Sequence, residues 1–183
     1  MLRLCLDLNV LVADLLAEAA GRRATAVRRL VAAAASGRCA LGRVQLIVSF
    51  GMLDRFEDVL VRALGIDVET ARERRDLVAA FASLGPDGGP SLTLGGTGTM
   101  PMIDTEDAHV ADTALAGRAD WLVTANLRDF IEPSRARLGA RRITDRIAVI
   151  DVAGGAGRLL VVHPNVAAGW IDDPERYRRE VGG

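Results

Sequence analysis

The sequence predicts an α/β domain of three layers, in which helices cover both faces of a central, mostly parallel sheet. Short apolar segments such as Leu2–Leu6 and Trp121–Val123 alternate with segments of helical periodicity, an order typical of parallel sheets covered by helices. These apolar segments lack the polar/apolar alternation of strands that face water on one side. Half of the 183 residues are hydrophobic, so the chain is long and apolar enough to bury one such core.

Helical spacing and the residues that break it define the predicted helices. We expect helices over Val10–Ala19, Ala24–Ser36, Gly51–Ala63, Val68–Leu84, Glu106–Ala116 and Asn165–Ile171. Further strands are predicted over Val44–Val48, Ile147–Val152 and Leu159–Val162, with a brief one at Ser91–Leu94. The last two long strands form either a hairpin or successive strands, and the residues from Asp172 onward are predicted to be a charged tail. We assign residues 1–152 to one domain and residues 153–183 to a C-terminal extension packed on it.

The composition excludes several kinds of chemistry. All 23 basic residues are arginine, so no lysine is present for a Schiff base, a phosphate-binding loop or aspartyl-phosphate chemistry. Two cysteines and two histidines fit neither a disulfide framework nor a zinc site. A net charge of −1 provides no general attraction to nucleic acid. No apolar segment is long enough for a membrane helix, and we expect a cytoplasmic protein.

Acidic and amide side chains follow the predicted strands. Asp7 comes directly after the first strand, and Asn126 and Asp129 follow the strand at Trp121. Asp104 and Asp107 stand at the start of a predicted helix. Because functional crevices of parallel sheets lie at the carboxyl ends of the strands, we expect these groups to converge there. Oxygen ligands of this kind suit Mg²⁺ or Mn²⁺, which can activate water for hydrolysis.

Each of these residues also has a purely structural interpretation. A single Asp after a strand is most often a cap or a turn residue, and this applies to Asp7 and Asp129. Asp104 fits a loop, and Asp107 fits the first turn of a helix, where the helix dipole favours a carboxylate. The functional interpretation therefore depends on the whole set and not on one member.

Three segments resemble PIN-domain nucleases. Leu6-Asp7-Leu8-Asn9-Val10-Leu11 resembles the family's opening strand, and Asp104-Thr105-Glu106-Asp107 with the helix that follows resembles its third acidic motif. The segment from Ala119 to Phe130 resembles the closing strand and loop, in the subgroup that has Asn where other members have Asp. The resemblance spans about residues 2–152.

The resemblance implies a role for each matched residue. Asp7 would be a direct metal ligand, with Asp107 as the second ligand and Asp104 as its competitor. Asn126 would bind metal-bound water or orient a carboxylate, with support from Thr124. Asp129 would be a peripheral acid, and Asn9 would brace the turn after the strand.

One departure from the family lies in the helix that begins at Ser49. Members of the family have a Glu where this chain has Arg55. Asp54 substitutes if the helix is slightly rotated, and Asp58 lies about one turn further along on a similar face. Alternatively, Arg55 pairs with Asp7 or Asp107 in place of a cation.

Arginines are the predicted ligands of substrate phosphates. The segment that follows the site loop is the preferred candidate, and arginine runs that merely form a solvated face are the alternative. The predicted substrate-binding residues are Arg55, Arg128, Arg135, Arg141 and Arg142.

The resemblance implies a metal-dependent ribonuclease, with Mg²⁺ or Mn²⁺ as cofactor and RNA as substrate. Bacterial proteins of this type are often the toxin of a toxin–antitoxin pair, which implies an antitoxin partner and a homodimer. The main rival is a catalytically impaired PIN-like module that binds RNA or protein, with Arg55 filling the metal site. A phosphatase with Asp7 as nucleophile lacks the second acid at Asn9, and Gly154–Gly157 lacks the spacing of a dinucleotide-binding loop.

Overall fold

The computed structural model describes residues 1–83, 92–93, 105–131, 140–152 and 157–181, although not the side chains of residues 92–93, 105–108 and 152. Asp104 and Arg135 lie outside the described residues, and so does most of the predicted glycine-rich loop after Ser83. Asp107 lies in a described helix, but its side chain does not belong to the described part.

The described residues form an eight-stranded sheet and eight helices. The strands are β1 (Leu2–Leu6), β2 (Arg38–Cys39), β3 (Gly42–Ser49), β4 (Leu92–Thr93), β5 (Trp121–Val123), β6 (Arg141–Thr144), β7 (Ile147–Val152) and β8 (Gly157–Val162). The helices are α1 (Leu8–Ala19), α2 (Ala26–Ser36), α3 (Phe50–Arg62), α4 (Val68–Ser83), α5 (Thr105–Ala116), α6 (Leu127–Ile131), α7 (Pro164–Asp172) and α8 (Pro174–Val181).

The middle of the sheet is parallel and its margins are antiparallel. The strand order is β2-β3-β1-β5-β8-β7-β6, and β4 pairs with the end of β3. Strands β3, β1, β5 and β8 pair in parallel, and all are buried along most of their length. Helix α5 packs over β1, β3 and β5, whereas α2 packs on α1, α7 and β3. This is the predicted three-layer α/β/α fold with a mostly parallel sheet.

Parallel pairing brings four chain segments to one edge of the sheet. Asp7 follows β1, Ser49 ends β3, Thr124 follows β5 and His163 follows β8. Backbone hydrogen bonds continue past the strand ends, since the Asp7 N–H donates to the Val123 carbonyl and the Thr124 N–H donates to the Val162 carbonyl. Neighbouring strands lie about 4.8 Å apart, so these residues stand in one row.

Helix α5 lies directly on β3 because Gly117, just past its end, has no side chain. A Cβ atom at this position would lie 2.1 Å from Cγ2 of Ile47, closer than two carbon atoms can approach. The chain turns after α5 with Arg118 in the left-handed region, at φ 48°. Glycine usually occupies such a turn position, but here the glycine is used for the contact between helix and sheet.

The hairpin alternative for the two last long strands is the observed one. Strands β7 and β8 are antiparallel, from the pair Ile147–Val162 to the pair Val152–Gly157. Strand β8 then pairs with β5 in the parallel centre of the sheet. The predicted division after Val152 therefore falls inside this hairpin.

The predicted charged tail is wrong, because most of the residues after Asp172 form helix α8. Tyr177 packs against Trp121 and Trp170, with ring centroids 5.2 Å apart in both pairs. The indole N–H of Trp170 also donates to the Glu180 carboxylate at 2.8 Å. Aromatic contacts of this kind stabilise a helix whose remaining residues are mostly charged.

No helix in the described ranges is both long and apolar enough to cross a lipid bilayer.

Helices α1, α2, α3 and α4 line a cleft of about 280 Å³ that contains a buried acid, Asp14. Oδ1 of Asp14 is buried and accepts no hydrogen bond, and Arg28 Nη1 approaches it to only 3.4 Å. Burial raises the pKa of Asp14, and the nearby Arg28 offsets this only in part. The folded state therefore binds a proton at Asp14 more tightly than the unfolded state does.

We predict that the stability of Asp14→Asn relative to the wild type increases as pH rises from about 4 to 7. The folded pKa of Asp14 is raised, so the wild-type protein loses stability as pH rises from the unfolded value, about 3.9, through the folded value. Asparagine does not titrate, so urea unfolding should show the difference between variant and wild type growing across this range. The control is Asp145→Asn, whose side chain is 98% exposed. A difference for Asp14→Asn that stays constant between pH 4 and 7 would contradict the prediction.

Candidate active site

Asp7 is a buried carboxylate at the carboxyl edge of the sheet. It occupies the N-cap position of α1, and only 5% of the residue is exposed. Its side chain makes no capping hydrogen bond of regular geometry, although the backbone N–H groups of Leu8 and Asn9 at the start of this helix lower the pKa of its carboxyl. Asp7 therefore interacts with the start of α1 as a cap residue does, and the functional interpretation depends on its burial and its other partners.

Two neutral side chains donate hydrogen bonds to the Asp7 carboxylate. Thr124 Oγ1 donates to Asp7 Oδ2 at 2.6 Å, and Asn9 Nδ2 donates to the same oxygen at 2.5 Å. Both side-chain hydrogen bonds thus fall on Oδ2. The carboxylate is held in one orientation by these two bonds, both of which leave Oδ1 uncovered.

Asn9 and Thr124 also join the loops that follow β1 and β5. Asn9 Nδ2 lies 3.2 Å from Thr124 Oγ1, and Asn9 Oδ1 accepts the Ala125 N–H at 3.4 Å. Thr124 Oγ1 accepts the Asn126 N–H at 3.0 Å. The Thr124 hydroxyl therefore donates once and accepts twice, which uses its full hydrogen-bonding capacity.

Burial raises the pKa of Asp7 above its usual value. The Thr124 side chain, the backbone N–H groups of Leu8 and Asn9 and the Asn9 side chain lower this pKa, but they offset burial only in part. The described side chains that donate hydrogen bonds to Asp7, those of Asn9 and Thr124, are neutral. A buried carboxylate with only neutral donors is costly to ionise, and its charge becomes favourable when a cation binds beside it.

Asn126 and Asp129 lie next to this group, on the loop after β5 and in α6. Asn126 Nδ2 donates to Asp129 Oδ2, and the Asn126 backbone is held by Thr124. Both side chains are exposed. The structure therefore connects five of the predicted site residues by hydrogen bonds: Asp7, Asn9, Thr124, Asn126 and Asp129.

The acidic residues of α3 interact with arginines. Asp58 Oδ1 lies 3.3 Å from Arg62, and Glu57 contacts Arg72 and Arg75 at 3.2 and 2.6 Å. Asp54 is exposed and raises the pKa of Arg75 together with Asp76 and Glu57. Substitution of the family's Glu by Asp54 or Asp58 stays a prediction.

Arg55, which the family resemblance places at the Glu position, is half-buried on α3 and interacts within the structure. The ion pair between Arg55 and Asp7 stays a prediction. An ion pair between Arg55 and Asp107 would involve a side chain outside the described part.

Sequence reasoning did not single out Thr113, a buried residue of α5. Thr113 Oγ1 lies 2.7 Å from the His109 carbonyl and 2.9 Å from Ser49 Oγ, the N-cap of α3. Thr113 is 0% exposed and Ser49 is 2% exposed. The sequence feature that could have identified Thr113 is a β-branched polar residue at a core position of a helix, where an aliphatic residue is usual.

Among the described side chains, no three from His, Cys, Asp and Glu come together as a metal site. Asp104 and the Asp107 side chain, which the sequence predicts as ligands, lie outside that part. The described residues thus supply one buried carboxylate, two amides and a hydroxyl group.

Three of the predicted phosphate-binding arginines lie on α6 and β6. Arg128 is exposed on α6, where it interacts within the structure. Arg141 and Arg142 are exposed at the start of β6, three strands away from β5 in the sheet. Strand β6 runs parallel to β8, since both pair antiparallel with β7. The turn after β6 therefore lies at the same edge as Thr124, and Arg146 belongs to this turn. Burial lowers the pKa of His163, and the positive charge of Arg146 lowers it further.

Comparisons with known proteins identify the family. A family model described as PIN domain matches residues 3–128, which is more than half of the chain. No curated protein matches, and no solved structure matches. The matched range runs from β1 through β5 to the start of α6, and it includes the hydrogen-bonded residues Asp7, Asn9, Thr124 and Asn126 but ends just before Asp129. The chain therefore belongs to the PIN domain family.

Proposed function

We propose that this protein is a ribonuclease that hydrolyses RNA phosphodiester bonds with Mg²⁺ or Mn²⁺. PIN domains are generally metal-dependent nucleases that bind RNA. The observation that carries the proposal is the Asp7 carboxylate, which is buried at the functional edge of the sheet and accepts hydrogen bonds from the neutral side chains of Asn9 and Thr124.

The donor set around Asp7 fits a hard divalent cation. A carboxylate oxygen is a ligand that Mg²⁺ and Mn²⁺ prefer, and the amide of Asn9 and the hydroxyl of Thr124 orient this carboxylate. Because Asn9 and Thr124 both donate to Oδ2, Oδ1 is the oxygen that we assign to the metal. Asp107 would be the second ligand, with Asp104 as its competitor.

The bound metal would activate a water molecule and offset charge on the phosphoryl oxygens. Around it, Asn9 and Thr124 hold the Asp7 carboxylate in one orientation. Asn126, which is held by Thr124 and Asp129, would hold a water molecule at the site. Asp129 would act through Asn126 and not as a ligand.

Substrate RNA would extend from Asp7 along the carboxyl edge of the sheet. The predicted phosphate contacts, Arg128, Arg135, Arg141 and Arg142, would lie along this path, with Arg55 on the side of α3. Guanidinium groups bind phosphate oxygens with two parallel hydrogen bonds and without base preference. Local arginines thus replace the general attraction that a net charge of −1 does not provide.

A second candidate is a PIN-domain module that binds RNA or protein but has lost catalysis. Two observations favour it: Arg55 stands in α3 where the family has Glu, and Asn126 stands where other members have Asp. Both changes reduce the negative charge that attracts a cation. Metal binding distinguishes the two candidates.

The proposed biological role is that of a toxin, acting on RNA in the cytoplasm as a homodimer and inhibited by an antitoxin protein. This role is supported by the family resemblance, and fold alone does not determine it. Sedimentation equilibrium that reports only a monomer would remove the homodimer from the proposal.

We predict that the wild-type protein binds Mn²⁺ and cleaves single-stranded RNA, and that Asp7→Asn does neither while keeping its fold. An amide at this position cannot supply the negative charge that the cation needs. Mn²⁺ titration calorimetry and an RNA cleavage assay measure the two effects, and circular dichroism checks the fold. The matched control is Asp120→Asn, an aspartate at the start of the neighbouring strand β5, at the opposite edge of the sheet.

The Arg55→Glu variant separates the two candidate functions. If the wild type binds no Mn²⁺ and Arg55→Glu does, the binding module replaces the nuclease. RNA cleavage that persists in Asp7→Asn would refute the assignment of Asp7 as a ligand.

We predict that Thr124→Val weakens Mn²⁺ binding by about 10- to 100-fold, the usual effect of removing a group that orients a metal ligand. Valine has nearly the same shape as threonine but cannot donate to Asp7 or accept from Asn126 and Asn9. Thr124→Ser keeps the hydroxyl and should stay within a few-fold of wild type in the same titration. Equal affinities for Thr124→Val and wild type would show that Thr124 does not orient Asp7.

A further inference from the structure

Helix α5 is aligned on β3 by two contacts that match the spacing of both elements. Thr113 meets Ser49, and Gly117 meets Ile47. Residues four apart on a helix are separated by about 6 Å along its axis, and residues two apart on a strand by about 6.6 Å. The two pairs therefore fix both the direction of α5, antiparallel to β3, and its position along the strand.

This alignment determines where the first turn of α5 lies. Strands β1 and β3 pair in parallel through Cys5 and Ile47, so Asp7 and Ser49 follow two residues later at the same level. Thr113 bonds to Ser49 and thus lies level with Asp7. Residue 107 precedes Thr113 by six residues, or about 9 Å of helix, which carries the first turn of α5 beyond the strand ends on the side of the active edge.

The hydroxyl groups form a directed chain. Thr113 can donate only one hydrogen, and the His109 carbonyl, at 2.7 Å, can only accept. The Ser49 hydroxyl therefore donates to Thr113 Oγ1, and Ser49 Oγ in turn accepts the Met52 N–H at 3.3 Å. This chain joins α5 to the first turn of α3, the helix that carries Arg55.

We propose that Thr113 is a positioning residue, which acts through Ser49 to set the position of the acidic first turn of α5 relative to Asp7. Loss of the Thr113 hydroxyl leaves the Ser49 hydroxyl buried without an acceptor, and α5 is then free to shift along β3 by a fraction of a turn. The distance between Asp7 and the backbone of the first turn of α5 changes with that shift. This inference rests on the proposed metal-dependent function.

The test compares Thr113→Val, Thr113→Ser, Ser49→Ala and the double variant Ser49→Ala/Thr113→Val with the wild type. We expect Thr113→Val to weaken Mn²⁺ binding by about 10- to 100-fold and Thr113→Ser to restore it. Ser49→Ala should weaken it to a similar degree, and the double variant no further than either single one. At saturating Mn²⁺ the RNA cleavage rate of Thr113→Val should return toward wild type, which a general loss of structure would not produce.

A metal-free readout accompanies the titration. Amide hydrogen exchange in the presence of EDTA should speed up at the Met52 N–H and in the first half of α5 in Thr113→Val, but not in β5. If Thr113→Val fails to fold, Ser49→Ala carries the same test, because it leaves the bond between Thr113 and His109 in place.

The outcomes separate this inference from the proposed function. A wild-type protein that binds no Mn²⁺ overturns both. A wild type that binds Mn²⁺ while Thr113→Val binds equally well overturns the positioning role alone. Additive losses in the double variant also overturn it, because Thr113 and Ser49 would then act independently.

Discussion

Burial of the Asp7 carboxylate between β1 and β5 is the constraint on which the site depends. The pairing of β1 with β3 on one side and with β5 on the other removes this residue from water. The described side chains that donate to the carboxylate, Asn9 and Thr124, are neutral. A cation at this position therefore gains more than it would from an exposed acid, because the low local dielectric strengthens the attraction. The same burial costs stability when no cation is bound, a balance common at functional sites.

Neutral side chains hold the Asp7 carboxylate in the orientation that we propose for cation binding. Asn9 and Thr124 provide orientation, and they link the two loops that carry Asp7 and Asn126. Asp58 and Glu57 of α3 form ion pairs with arginines on α3 and α4. The family resemblance implies acidic residues at the positions of Arg55 and Asn126, whereas Asp7 keeps a buried carboxylate at this edge.

The features that sequence predicted well are those with local signals. The β1 segment, the N-cap at Ser49 and the strand at Trp121 each follow from a short pattern, and parallel pairing then places Asp7 and Thr124 at one edge. Helix α8 was missed because its stability depends on Tyr177 reaching Trp121, 56 residues earlier in sequence. The Thr113–Ser49 bond spans 64 residues, and no local pattern reports such a contact. Whether Asp54 or Asp58 replaces the family's Glu also depends on partners that lie on other helices.

Anomalous diffraction at the manganese edge, from crystals soaked in MnCl₂, tests directly whether Asp7 binds a divalent cation. The account predicts an anomalous peak about 2.2 Å from Oδ1 of Asp7, the usual distance for a hard divalent ion and a carboxylate oxygen. It also predicts that Asn9 and Thr124 still donate to Oδ2. A map without a peak at Asp7, collected from crystals that diffract well and contain Mn²⁺ in the solvent, would contradict the account and leave the PIN domain as a metal-free binding module.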